Sequence, residues 1–159
     1  PDEDAWHNRE SYQLGYWRAS CYESIFGINI VGDSESNKLG QLDRHVYQEY
    51  GGHWVARRVS GVFAAKNKLV SANRLELTFP SGQVPQVITH QARLRWSDNK
   101  GLTYGNPMIK EIGTAGAGNQ RLVWWSMGSF RQRVYELSIS TAANRDLIDE
   151  DFQYEVGGL

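Results

Sequence analysis

The chain has 159 residues, of which 40% are hydrophobic, and its formal net charge is −1 at pH 7. This length suits one ordinary domain with a real core. The longest apolar run is far shorter than the roughly 20 residues that span a bilayer, so we expect no membrane anchor.

The first part of the chain predicts an entry segment, residues 1–15, and a first β unit, residues 16–63. Because the sequence begins with Pro1 and not with Met, we expect a fragment or a processed form of a longer protein. The strands predicted in this unit are 16–22, 25–31, 38–42 and 53–63. The dipeptide Glu23-Ser24 is predicted to link the first two strands. The unit is near the size of one propeller blade, which is about 40–45 residues.

A second β unit is predicted at residues 73–158. Its predicted strands are 73–79, 84–97, the two strands of a hairpin within 122–140, and 152–156. The Gly-rich stretch 106–119 lacks apolar periodicity and is predicted to be a long loop. Alternation between apolar and polar residues indicates strands with one buried face. The large side chains predicted to lie inside are Leu75, Leu77, Phe79, Leu94, Trp96, Val123, Trp125 and Leu137.

The charges are segregated along the chain. Residues 1–52 carry 4 basic and 9 acidic side chains (−5), residues 53–133 carry 12 and 3 (+9), and residues 134–159 carry 1 and 6 (−5). One explanation is that strands with outward Arg and Lys neighbour acidic loops, and the sequence alone favours it. The other is that two charged surfaces meet partner subunits.

About nine strands at short intervals, with no clear helical pattern, predict an all-β fold of antiparallel sheets. We expect β-propeller-like blades in a partial propeller, because a propeller of four or more blades cannot close from this length. A β-sandwich is the alternative.

One turn has a recognisable pattern. Ser97, Asn99, Gly101, Thr103 and Tyr104 follow the order of an Asp-box, S-x-D-x-G-x-T-W, with Asn replacing Asp and Tyr replacing Trp. Gly can take a positive φ without penalty, and Ser and Asn side chains can bond nearby backbone groups. We therefore predict a structural turn here and not an active site.

No catalytic set can be assembled from the sequence. The four histidines lack the spacing of metal ligands, and the lone Cys21 excludes an internal disulfide and favours assembly in the cytoplasm. The core strands offer only Glu76 and Glu136 as carboxylates, so we predict no enzyme, no metal site and no cofactor.

Arginines interleaved with aromatic residues give a set of candidate partner contacts. Such residues can bind nucleic acid or an anionic glycan. The other explanation, which the sequence alone favours, is that Arg stems pack across strands on aromatic rings. The candidates are Arg121, Trp124, Arg131 and Arg133.

Several stretches together carry a family resemblance. They are Trp6 to Glu10, Trp17-Arg18, Val31 to Asp33, Leu42-Asp43 followed by Tyr47, Leu94 to Tyr104, Asn106-Pro107 and Arg121 to Ser140. The chain in this way resembles the C-terminal portion of the phage stabilisation proteins, the packaged-DNA stabilisation or tail hub and nozzle proteins of short-tailed bacteriophages. Members of that family are much longer, and the Gly-rich insert at 113–118 is not expected in them.

The resemblance implies a structural virion protein of the tail that stabilises packaged DNA, completes the head and connects the portal to other tail proteins. It implies assembly in the host cytoplasm and a homo-oligomeric ring. The implied partners are the portal or adaptor ring, a tail fibre or spike and a needle, with DNA passing nearby. The rival hypothesis, which rests on the Asp-box, is a carbohydrate-binding or glycan-cleaving propeller fragment.

Overall fold

The structure is a computed structural model, and it describes residues 9–43, 45–52, 54–80, 90–113, 118–141 and 145–157. The chain divides into two compact units, Pro1–Trp54 and Val55–Leu159. Every strand pairing within the described ranges is antiparallel, and no helix occurs there. The predicted all-β, antiparallel class is therefore confirmed. Within those ranges no helix is long and apolar enough to cross a membrane.

The first unit contains a three-stranded sheet in the order β1-β2-β3. Its strands are β1 Ala19–Ile25, β2 Ile28–Asp33 and β3 Leu39–Gln41. The predicted link at Glu23-Ser24 is wrong, because these residues pair with Ile30 and Asn29 inside the hairpin. The turn lies instead at Phe26 and Gly27, whose φ angles of 53° and 74° give the left-handed pair that a two-residue hairpin loop requires.

Asp33 organises the end of β2. Its carboxylate accepts a hydrogen bond of 2.6 Å from Nε of Arg18, a second from the same guanidinium, one from the hydroxyl of Ser36 and one from the backbone N–H of Glu35. These bonds, the one from Arg18 above all, hold the pKa of Asp33 well below its usual range.

The second unit contains nine strands within the described ranges. They are β4 Ala56–Val59, β5 Phe63–Ala64, β6 Val70–Phe79, β7 His90–Ser97, β8 Met108–Gly113, β9 Gln120–Trp125, β10 Ser129–Phe130, β11 Gln132–Ile139 and β12 Asp149–Val156. The boundary between the units differs from the predicted one, since β4 and β5 pair with β11 and so belong to the second unit. The predicted loop 106–119 is corrected by β8, which pairs with β7.

Two sheets face each other across one core. Sheet I has β6 at its centre, with β12 on one side and β9 and β10 on the other; sheet II has the order β4-β11-β7-β8, with β5 also beside β11. The core side chains come from both sheets: Val70, Ala72, Leu75, Leu77, Phe79, Ala92, Leu94, Ile112, Leu122, Trp124, Leu137 and Ile139. The second unit is therefore a β-sandwich, the alternative architecture, and not a set of propeller blades.

The predicted core is right on β6 and β11 and at Leu94 of β7, whereas Trp96 of β7 is only partly buried and the assignment on β9 is wrong. Trp125 is 61% exposed, whereas Trp124 is fully buried opposite Leu75 of β6. Val123 is half-buried on the same outer face as Trp125, and Leu122 takes the inner position. Apolar residues occupy both faces of β9, so alternation alone does not determine which face is inside.

Candidate functional site

The Asp-box-like residues lie together in one turn that follows β7. The N–H of Gly101 donates to Oγ of Ser97 over 2.9 Å, and the N–H of Thr103 donates to Oδ1 of Asn99 over 2.9 Å. The Ser97 hydroxyl also donates to Oδ1 of Asn99, and Nδ2 of Asn99 donates to the hydroxyl of Thr103, each over 2.7 Å. The polar atoms of the motif are therefore bonded to one another and hold the turn closed.

Gly101 and Tyr104 contribute to this turn in different ways. Gly101 has a φ of 88°, and a Cβ there would lie 3.3 Å from the hydroxyl of Tyr104. The guanidinium of Arg95 lies over the Tyr104 ring, with its central carbon 4.5 Å from the ring centre. The chain then returns to the strand through a hydrogen bond of 3.0 Å from the N–H of Gly105 to the carbonyl of Trp96.

Arg133 fixes the turn to the sandwich. Its guanidinium donates to both carboxylate oxygens of Asp98, over 2.6 and 2.9 Å, and to the carbonyl of Met127 over 2.6 Å. The same group lies 4.3 Å from the centre of the Phe130 ring and 5.0 Å from that of Trp96. Arg133 is only 2% exposed, so this is a buried cation between aromatic rings with one carboxylate partner.

The charge on Arg133 is retained despite burial. Burial disfavours the charged guanidinium, but the hydrogen bonds, chiefly those to Asp98, outweigh it and leave the pKa of Arg133 above its ordinary value. Burial has the opposite effect on the Tyr135 hydroxyl beside it, whose pKa it raises because the charged form of tyrosine is the deprotonated one. Near neutral pH, Arg133 therefore stays charged and Tyr135 stays neutral, as expected of structural groups. Asp98, the counter-ion in this arrangement, was not among the predicted site residues.

A second network covers the outer face of sheet I. Arg74 bridges Glu76 and Asp151, with 2.9 Å to the latter, and Arg121 bonds the other oxygen of Glu76 over 2.9 Å. The Arg74 guanidinium also lies over the exposed ring of Trp125. On sheet II, Arg95 and Glu136 form a comparable cross-strand pair at 2.7 Å.

The four candidate partner contacts fall into two pairs. Trp124 and Arg133 are buried inside the sandwich and are inaccessible to a partner, which corrects the predicted contact for these two side chains. Packing of arginine on aromatic rings, the other explanation of the pattern, describes Arg133. Arg121 and Arg131 lie on the surface and remain candidates.

The sandwich contains a cleft that the sequence did not predict. It has a volume of about 730 Å³ and lies between β12 of sheet I and β4 and β5 of sheet II. Its walls carry an aromatic cluster in which Phe63, Phe152 and Tyr154 contact one another at 4.9–5.4 Å between ring centres. In the part of the chain that the structure describes, no group of three His, Cys, Asp or Glu side chains is arranged to hold a metal.

Comparison with known proteins relates the sandwich to one family. Residues 56–150 match the family model described as "Bacteriophage P22 Gp10, beta-sandwich". The match begins at β4 and ends at the start of β12, so it coincides with the second unit. A search of the curated proteins found no significant match.

Proposed function

Since the chain belongs to the family of the bacteriophage P22 Gp10 β-sandwich, we propose that this phage structural protein is a tail hub or nozzle component. In this role it completes the filled head, helps to retain the packaged DNA and connects the portal to other tail proteins. It acts by protein contact and not by catalysis.

The observation that carries the proposal is the agreement between family and fold. The family model covers β4 through β11, and that segment forms one sandwich with a continuous core. The turn after β7 supports a structural role as well, because Ser97, Asn99 and Thr103 use their polar groups on one another. A glycan-binding turn would present such groups to a ligand.

The proposed partners follow from the same role. They are the portal or adaptor ring, a tail fibre or spike, a needle and further copies of the chain arranged in a ring, all within the virion tail. We propose assembly in the host cytoplasm and no membrane anchor.

The test is a phage in which the gene for this chain carries a stop codon. We expect particles with heads that fill but then lose their DNA, with restoration when the chain is supplied from a plasmid. A variant with Gly61→Ala, at a position where a Cβ meets nothing within 4 Å, is a matched control that should restore as well as the original. Stable, DNA-filled heads without the chain would contradict the proposal. Defective adsorption with intact heads would favour the glycan-binding rival.

A further inference from the structure

The exposed apolar side chains of the second unit are concentrated at the free strands of its sheets. Sheet I ends with β12 on one side and β9 on the other, and sheet II ends with β4 and β8. Ten large apolar side chains are exposed among the described residues of this unit, and only Leu69 and Leu102 lie away from the free strands. The other eight are Val59, Val62, Met108, Ile109, Trp125, Ile148, Tyr154 and Val156. Single exposed apolar residues are normal, but such concentration marks an interaction surface.

The free strands form two open edges on opposite sides of the sandwich. The cleft edge consists of β4, the link to β5, and β12, which line the aromatic cleft. The groove edge consists of β8 and β9, which line a shallow groove between them. Among the residues that the structure describes, each edge therefore offers one strand from each sheet with an open side, whose backbone groups can accept a further strand.

The two edges carry opposite charges on each sheet. On sheet I, β12 presents the acidic residues Asp149, Asp151 and Glu155, whereas β9 presents Arg121. On the outer face of sheet II the order is reversed, since β4 presents Arg57 there and β8 presents Glu111, whereas Arg58 and Lys110 belong to the other face. Except for Lys110, all of these side chains are exposed.

The strand registers allow these charges to meet. Asp149 and Arg121 both pair with Thr78, on either side of β6, so they lie in one row of sheet I. Copies placed side by side in the same register bring Asp149 of one copy next to Arg121 of the following copy. On the outer face of sheet II, a shift of two residues brings Arg57 next to Glu111 and Val59 next to Ile109. Because the strands of two packed sheets cross at about 30°, one displacement of a copy can keep the register of sheet I and shift that of sheet II.

We propose that the cleft edge of one copy of this chain binds the groove edge of the next, so that both sheets continue from copy to copy. The contact is head-to-tail, and contacts of this kind close into rings or extend into filaments. It closes the aromatic cleft, covers the exposed apolar side chains and pairs acidic with basic strands on both sheets. The inference rests on the proposed function, in which copies of the chain work by contact with one another.

Two charge reversals on the full chain test the contact by sedimentation velocity over a concentration series up to about 100 µM. Arg57→Glu places an acidic side chain on the outer face of β4, opposite Glu111 of β8, and Glu111→Lys places a basic side chain on the outer face of β8, opposite Arg57 of β4. We expect the original chain to self-associate and each variant to weaken association by about tenfold or more, because like charges then meet at the contact. Raised salt should reduce the difference.

A mixture gives the decisive result. Each variant alone brings like charges together at the contact. In an equal mixture, the glutamate introduced by Arg57→Glu meets the lysine introduced by Glu111→Lys, and the unmodified Arg57 and Glu111 of the two chains meet at the other contact. We therefore expect the mixture, and the chain with both substitutions, to associate as the original does. Lys100→Glu is the matched control: Lys100 is an exposed cation in the turn after β7 and belongs to neither edge, so association should be unchanged.

Three results would overturn the inference. They are an original chain that stays monomeric throughout the series, single variants that associate like the original, and a mixture that associates no better than its components. The first would mean that the charged edge strands serve only to prevent edge-to-edge pairing. None of these results bears on whether the chain is found in the virion, so the proposed function is tested separately.

Discussion

The buried pair of Arg133 and Asp98 makes a prediction that can be worked out from its contacts. Asp98→Ala removes the acceptor of two hydrogen bonds, at 2.6 and 2.9 Å, and leaves a guanidinium that is 2% exposed without its counter-ion. Breaking a buried pair from one side costs about 3–5 kcal/mol. Because the Asp98 side chain is 50% exposed, water can replace part of the carboxylate, and we expect about 2–3 kcal/mol.

Arg133→Met should cost less stability than Asp98→Ala. Methionine fills the space between the aromatic rings of Phe130 and Trp96, and water can solvate the exposed carboxylate of Asp98 without any rearrangement. The lost bond to the carbonyl of Met127 leaves a buried acceptor, so we expect a cost of about 1–2 kcal/mol. Adding Asp98→Ala to this variant should then cost no more than about 0.5 kcal/mol.

Urea denaturation of the four proteins in this double-mutant cycle measures the coupling directly. Lys100→Ala, in the same exposed turn, is the control and should cost less than about 0.5 kcal/mol. If Asp98→Ala costs the same in the original chain as in the Arg133→Met variant, the carboxylate does not stabilise the buried cation and the reasoning is refuted.

Three further predictions concern the turn, the core and the first unit. Gly101→Ala should cost about 1–2 kcal/mol in thermal unfolding, because the φ of 88° is unfavourable for a residue with a Cβ, while Gly61→Ala should cost little. Trp124→Ala should cost about 3–5 kcal/mol, and Trp125→Ala about 1 kcal/mol or less; equal costs would reverse our assignment of the β9 faces. The lowered pKa of Asp33 contributes stability that is present above its unfolded pKa of about 3.9 and is lost as the pH falls below it. The protection of the β1–β3 amides against hydrogen exchange, relative to their unfolded exchange rates, should fall in that pH range, and Asp33→Asn should remove this pH dependence.

Alternation identified the central strands because one of their faces is buried along the whole length. Leu75, Leu77 and Phe79 on β6 and Leu94 on β7 lie where period two places them. The free strand β8 escaped prediction for the opposite reason: most of its side chains are exposed, so selection for alternation is weak and only Ile112 is buried. The Gly-rich residues after it concealed the strand further.

The sequence pattern of the arginines does not determine which of them is buried and which is exposed. Arg133 and Arg131 are similar in sequence context, yet one is buried and the other is exposed. The difference comes from Asp98, which is distant in sequence and reaches the guanidinium only because β7 and β11 are paired. The sandwich was equally hidden, since the pairing of β4 and β5 with β11 joins segments that alternation assigned to separate units.

The central claim is that this chain is a structural component of a phage tail, and labelling of purified virions tests it most directly. A gold-labelled antibody raised against the chain should mark the tail at its junction with the head in electron micrographs, and the label should remain after the particles are banded in a density gradient. Particles that carry no label, with the chain found only in the lysate, would contradict the account.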